Sequence, residues 1–304
     1  MEAVQRARQG LVIYLLALLI LSAIFESLIM ATREPIAKHL GLVFTLMWAP
    51  GIASFVARLA LRENLEDVSF SFGCDGAGKT IILAWVYPVL LGSIAYGATW
   101  MTGLATFSPP TLDAMGIHNA SPILRWIVLL ALAMSLGTIY GLFWAAGEQI
   151  GWRGYMLTRL VDAEVPQPVL VSGLIWAIWQ IPLVLSGQYA SSEHPRISAL
   201  LFIVNIAAFG YVTARLRLQS GSVWPAVLVH SSWNAVIQGV FDASTQNAGI
   251  WVGESGAVVA LCNVAIVAVL VRGNWPVRRT PAEISPREYW QNGALLYRAF
   301  RGKG

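Results

Sequence analysis

Charge is scarce in this sequence. Asp, Glu, Lys and Arg make up 12% of its 304 residues, about half the share found in ordinary soluble domains. Hydrophobic residues reach 57% and the mean hydropathy is +0.63. A soluble fold of this length cannot hide that much apolar surface, which makes an integral membrane protein the leading class. Cysteine is almost missing. Cys74 and Cys262 lie far apart, with no CxxC or zinc-like spacing, and read as free thiols rather than a disulfide framework. There are four histidines, His39, His118, His194 and His230, and no H-E-x-x-H.

What the chain has instead is long apolar runs. A bilayer-spanning helix needs roughly 20 mostly apolar residues. Eight segments qualify, at about 11–30, 41–61, 81–103, 124–146 (continuing helically to about 160), 168–186, 198–214, 222–241 and 252–271. The first follows Arg6 and Arg8 like a signal peptide. It is longer than a typical signal core and lacks a small-residue cleavage site, so a retained span is expected.

Positive charge sets orientation. With the N-terminus inside and eight alternating spans, sixteen Lys and Arg lie inside. Only four, Arg33, Lys38, Arg125 and Arg196, lie outside. The expectation is an all-α polytopic bundle of about eight transmembrane helices with both termini cytoplasmic. Residues 1–271 form one membrane domain with a motif core at 140–240, followed by a basic cytoplasmic tail, 272–304. The expected location is the plasma (inner) membrane and the first partner is the lipid bilayer. No nucleic-acid partner is expected.

The stretch "GCDGAGKT", Gly73 to Thr80, satisfies the phosphate-loop pattern G-x-x-x-x-G-K-[ST]. That pattern works only where a strand delivers the loop to a helix within an α/β sheet. Here the next element is a membrane span, and the loop is too short for a nucleotide-binding domain. It reads as a glycine-rich loop, and no nucleotide is expected.

Polar side chains inside spans point to function by default. Glu26 lies in the first span, without an evident partner. The fourth carries Glu148, Gln149 and Arg153 in "GEQIGWRGYML"; the fifth carries Gln180; the seventh carries His230 and Asn234. From the assigned cytoplasmic ends, Glu148 and Gln180 lie about 18 Å deep, and His230 and Asn234 about 12 to 18 Å deep. Three helices thus bring polar groups to one level, as a single buried site reached by water from the cytoplasm. Gln149 with Arg153, and His230 with Asn234, are i,i+4 neighbours. Arg153 could orient Glu148 or Gln149, and Gly147, Gly151 and Gly154 allow a neighbouring backbone to approach. Glu148 is a candidate general base. His230 and Asn234 can donate to a developing oxyanion. A catalytic zinc wants three protein ligands; of the site, only Glu148 and His230 qualify.

The ordered words Glu148-Gln149-x-x-x-Arg153, Trp176-x-x-x-Gln180 and His230-x-x-x-Asn234 resemble the three motifs of the CPBP family. These are the CAAX proteases and bacteriocin-processing enzymes, also called Abi proteins. The resemblance is strong over about 140–240. It implies an eight-span intramembrane endopeptidase acting on peptide bonds of membrane-associated or prenylated substrates. Glu148 would activate water, Arg153 would orient the acidic pair, and His230 and Asn234 would hold the substrate carbonyl and oxyanion. The family is often described as metalloproteases, which brings in zinc, with Glu148 and His230 as its ligands here if any. Two positions depart from the pattern. Gln149 stands for the second Glu, and Gln180 for the first His, and an amide cannot serve as a base. Two readings follow: a protease in which Glu148 alone activates water, and a pseudoprotease that binds membrane peptides uncut, in an immunity or scaffold role. A small-solute transporter would explain polar groups at midplane but not the three motifs.

Overall fold

A computed structural model describes residues 1–71, 77–190 and 192–273. Cys74, with the first half of the phosphate-loop pattern, and nearly all of the basic tail lie outside the described residues. The architecture is all-helical, as expected. The elements are α1 (Glu2–Thr32), α2 (Leu40–Leu61), α3 (Ala77–Thr102), α4 (Pro122–Asp162), α5 (Pro168–Trp179), α6 (Ile181–Leu185), α7 (Pro195–Ser220), α8 (Trp224–Trp233) and α9 (Ala257–Leu270). A π-helical stretch, Asn234–Asp242, continues α8. A short antiparallel pairing, Thr106–Phe107 with Thr245–Gln246, ties the α3–α4 linker to the linker before α9.

Five helices, α1, α2, α3, α4 and α7, are long and apolar enough to cross a membrane. Large side chains such as Leu19, Leu59, Ile94, Ile139, Phe143, Leu200 and Leu261 face outward. A water-soluble protein would not leave so many exposed. The chain is an integral membrane protein.

Two expected spans are interrupted. The segment 168–186 breaks at Gln180 into α5 and α6. Pro182 is the physical reason: it has no N–H to donate, its ring clashes with the preceding turn, and it disfavours helical geometry at Ile181. The segment 252–271 becomes helical only from Ala257. Before it the chain makes a tight turn. Gly253 has φ +91°, and a Cβ on Gly256 would sit 2.4 Å from Val252 Cα. Both positions require glycine.

Helices close on one another through small residues, as lipid-embedded packing demands. On α1 the buried positions Leu11, Tyr14, Leu18, Ser22, Glu26 and Ile29 form one stripe at helical spacing. The expected close approach at Gly147, Gly151 and Gly154 is present. A Cβ on Gly51 would fall 2.7 Å from the Gly147 carbonyl oxygen, and one on Gly151 would fall 2.3 Å from the Pro50 carbonyl carbon. The backbones of α2 and α4 therefore touch directly beside Glu148. Gly154 faces Val68.

Arginines gather at the end of the bundle holding the α2 and α4 C-termini. Arg58 pairs with Asp67 at 2.6 Å. Arg159 pairs with Glu63 at 2.8 Å and Asp67 at 2.9 Å. Part of the positive charge counted in the sequence is thus neutralised locally by acids of the α2–α3 linker.

Candidate functional site

The direct contact of α2 with α4 fixes where Glu148 sits, and two indoles fix how it points. Trp176 Nε1 donates to Glu148 Oε2 at 2.7 Å. Trp152 Nε1 donates to the same oxygen at 3.3 Å. Both donors reach one oxygen of a carboxylate that is 3% exposed.

Trp176 is the centre of the arrangement. The Arg153 guanidinium lies 4.3 Å above its ring, a cation–π contact. The His230 ring meets it edge-on at 5.2 Å. Arg153 does not orient the acid directly, contrary to expectation. Its Nη2 donates to the Gly210 carbonyl at 3.1 Å, and it forms no ion pair with Glu148. It stacks on Trp176, which in turn donates to Glu148. Gly210 is part of that design. A Cβ there would meet Gly173 Cα at 2.7 Å and Arg153 Nη2 at 3.0 Å.

Gln149 and His230 are joined. Gln149 Nε2 lies 2.9 Å from His230 Nδ1. An amide nitrogen can only donate, so in this orientation Nδ1 accepts and the ring proton resides on Nε2. His230 then presents an N–H donor to the site. A carboxylate at 149 would reverse this, accepting from Nδ1–H and leaving Nε2 as a lone pair.

Glu148, Gln180, His230 and Asn234 line one cavity of about 90 Å³, space for about three waters at about 30 Å³ each. The convergence of three helices on one level is thereby met, with Gln180 exposed to the cavity at the α5–α6 break. Two π turns adjoin the site: Trp152–Met156 contains Arg153, and Asn234 opens the second. Such turns re-aim side chains within helices and recur at functional sites. Glu26 is buried but remains outside this cavity, and its Oε1 has no partner among the described residues.

The small cavity shares Met47, Tyr189, Asn234, Gln238 and Glu254 with a larger one of about 1060 Å³. The larger space runs between α2 and α4, past Leu40, Leu132 and Tyr140, to Ile36 and Ala37, to Tyr189, Ala190 and Ser192, and to the linker at 248–255. Those residues lie at the end of the bundle opposite Arg58 and Arg159. The lining of the larger cavity thus runs away from the arginine-rich end of the bundle.

Several contributors were not singled out from the sequence. Trp152 and Trp176 stand inside quoted motifs, yet only their spacing to other residues carried meaning. Glu254 lies inside the expected span 252–271, where an acid is itself a signal, yet it was not singled out.

Residues 115–236 match the family model for type II CAAX prenyl endopeptidase Rce1-like proteins. This segment is Rce1-like. The match bears out the CPBP resemblance and contains Glu148, Gln149, Arg153, Trp176, Gln180, His230 and Asn234. It ends before Glu254. No curated protein matches the chain.

Zinc, which the resemblance implies, can be tested against the donors of the Rce1-like segment. Among the described residues no three His, Cys, Asp or Glu side chains gather as a ligand set. Gln149 and Gln180 are amides, outside the usual zinc donors. With the Gln149 amide in this orientation, the other ring nitrogen of His230 carries a proton rather than a lone pair. These residues do not fit a zinc ion, and no step below runs through one.

Proposed function

We infer that the chain is an intramembrane endopeptidase that hydrolyses peptide bonds of membrane-associated or prenylated substrates with Glu148 as the only water-activating base. The observation that carries this reading is the shared cavity. It brings the Glu148 carboxylate, the His230 ring and the Asn234 amide to one water-sized space that continues into a long apolar one. Water held against Glu148 loses its proton to the carboxylate and attacks the carbonyl carbon. His230 Nε2–H and the Asn234 amide donate to the oxyanion that forms. Trp176 and Trp152 hold Glu148 by its far oxygen, and Arg153 fixes Trp176. The apolar cavity receives the lipid-like part of the substrate.

The proposal includes eight crossings, both termini in the cytoplasm, one membrane domain over 1–271, a basic tail over 272–304 and residence in the plasma (inner) membrane. With that orientation substrate enters from the lipid and the outer half of the bilayer. Positive charge at one end of the bundle supports it.

A second reading rests on Gln149 and Gln180. A chain that lost both titratable groups could retain peptide binding without cleavage, as a pseudoprotease. Cleavage of a farnesylated peptide in liposomes decides between them. The protease reading expects turnover by this chain that Glu148→Ala abolishes. No turnover, with binding of the same peptide retained, would establish the pseudoprotease.

A further inference from the structure

Glu254 is a second carboxylate in the wall of the small cavity, outside the segment that matches the Rce1-like family. It is 6% exposed, and no cation lies within ion-pair distance among the described residues. A buried carboxylate without a cation is costly unless it is hydrogen-bonded. Here the chain provides that support in full. Trp233 Nε1 donates to Oε1 at 2.7 Å. The Tyr189 hydroxyl bonds Oε2 and accepts from Gln238 Nε2 at 3.2 Å. The Glu254 carbonyl accepts from Asn205 Nδ2 at 2.9 Å, and Asn205 is held in turn by Asn263 at 2.6 Å.

This is more than a loop anchor needs. Asn205 and the turn at Gly253 already secure the backbone, since the Gly253 N–H donates to the Tyr96 hydroxyl at 3.0 Å. The side chain is aimed separately, at the junction of the two cavities. The Tyr189 hydroxyl can donate to a carboxylate or accept from a carboxylic acid, so the network accommodates Glu254 in either protonation state. Glu148 and Glu254 are then two acids with different surroundings, one at the inner end of the site and one at its mouth. Paired carboxyl groups in unequal environments divide acid and base roles.

We propose that Glu254 is the second catalytic residue of this site, a general acid that protonates the amine leaving the cleaved peptide bond. The assignment rests on the protease reading above. Water adds to the carbonyl carbon as Glu148 takes its proton. When the tetrahedral species collapses, the C–N bond breaks, its electron pair stays on nitrogen, and nitrogen takes the proton of Glu254. The proton on Glu148 passes through cavity water to the Glu254 carboxylate, which restores both groups. The sum is peptide plus water to carboxylic acid plus amine.

The test compares two probes with the same acyl part: a farnesylated peptide amide, and its 4-nitrophenyl ester, whose leaving group needs no proton. Glu254→Gln keeps the volume and an oxygen acceptor but not the acid. It should slow amide hydrolysis about 10²- to 10⁴-fold and leave ester hydrolysis close to that of the unmodified chain. Equal losses on both probes, or no loss on the amide, would overturn the assignment alone. Should Glu254→Gln fail to fold, Glu254→Ala with added formate takes its place. Formate should restore amide hydrolysis selectively, and a lack of rescue counts against Glu254. If the unmodified chain cleaves neither probe, the protease reading fails and this assignment fails with it.

Discussion

Gln149 Nε2 faces His230 Nδ1 at 2.9 Å, and with the amide in this orientation the imidazole carries its proton on Nε2. A glutamine at 149 makes His230 a donor toward the cavity; a glutamate would make it an acceptor. The substitution therefore alters the chemistry of a second residue on another helix. The expected nitrogen NMR signature of His230 is the Nε2–H tautomer in the unmodified chain and the Nδ1–H tautomer in Gln149→Glu. Identical tautomers in the two proteins would refute the coupling.

Trp176 joins Glu148, Arg153 and His230, and its two functions can be separated. Trp176→Phe keeps an aromatic surface for Arg153 and His230 but removes the 2.7 Å bond to Glu148. A hydrogen bond to a charged group is worth about 1.5–3 kcal/mol. The variant should fold, with a small change in thermal stability in detergent, and lose about 10- to 100-fold in turnover. Trp176→Leu removes the surface as well and should lower stability too. Equal stability losses in both variants would show that the N–H matters only for folding.

Much of this was readable in advance, for physical reasons that differ by residue. The spans follow from apolar length, and the convergence of Glu148, Gln180, His230 and Asn234 follows from depth along rigid helices. Arg153 was legible as a site residue but not in its action. Sequence spacing suggests a partner on its own helix, whereas the side chain reaches across to Trp176 and the Gly210 carbonyl. Pro182 marked the α5–α6 break openly, yet hydropathy alone runs through it. Glu254 stood inside an expected span and was legible as an intramembrane acid; the turn that folds it inward was not, because neither helical nor strand periodicity announces a turn.

The contact between α2 and α4 tolerates no added atom. A Cβ on Gly151 would meet the Pro50 main chain at 2.3 Å, and main chain cannot move aside as a flexible side chain does. Gly151→Ala should separate the helices and cost about 1–3 kcal/mol. Thermal unfolding in detergent should shift down by several degrees, and activity should fall with it, since Glu148 lies one turn away. A variant as stable as the unmodified chain would mean that the two helices are not in contact.

Zinc gives the clearest contrast between this chain and its sequence resemblance. The donors present are Glu148 and a His230 that shows its proton to the cavity, with amides at 149 and 180. Chelators should leave cleavage by the unmodified chain unchanged, and elemental analysis of the purified protein should find no stoichiometric zinc. Gln149→Glu/Gln180→His changes three things at once. It turns His230 around to expose Nε2, adds a second imidazole to the cavity wall, and supplies a carboxylate behind His230, the usual support for a metal-bound histidine. With Glu148 this makes three donors of the kind catalytic zinc uses. The double variant should take up zinc on addition, and chelation should reverse the uptake. Gln180→His alone should bind far more weakly, because His230 would still present a proton. If the single and double variants bind zinc equally, Gln149 does not control His230; if the unmodified chain already binds it, the ligand set lies elsewhere in the protein.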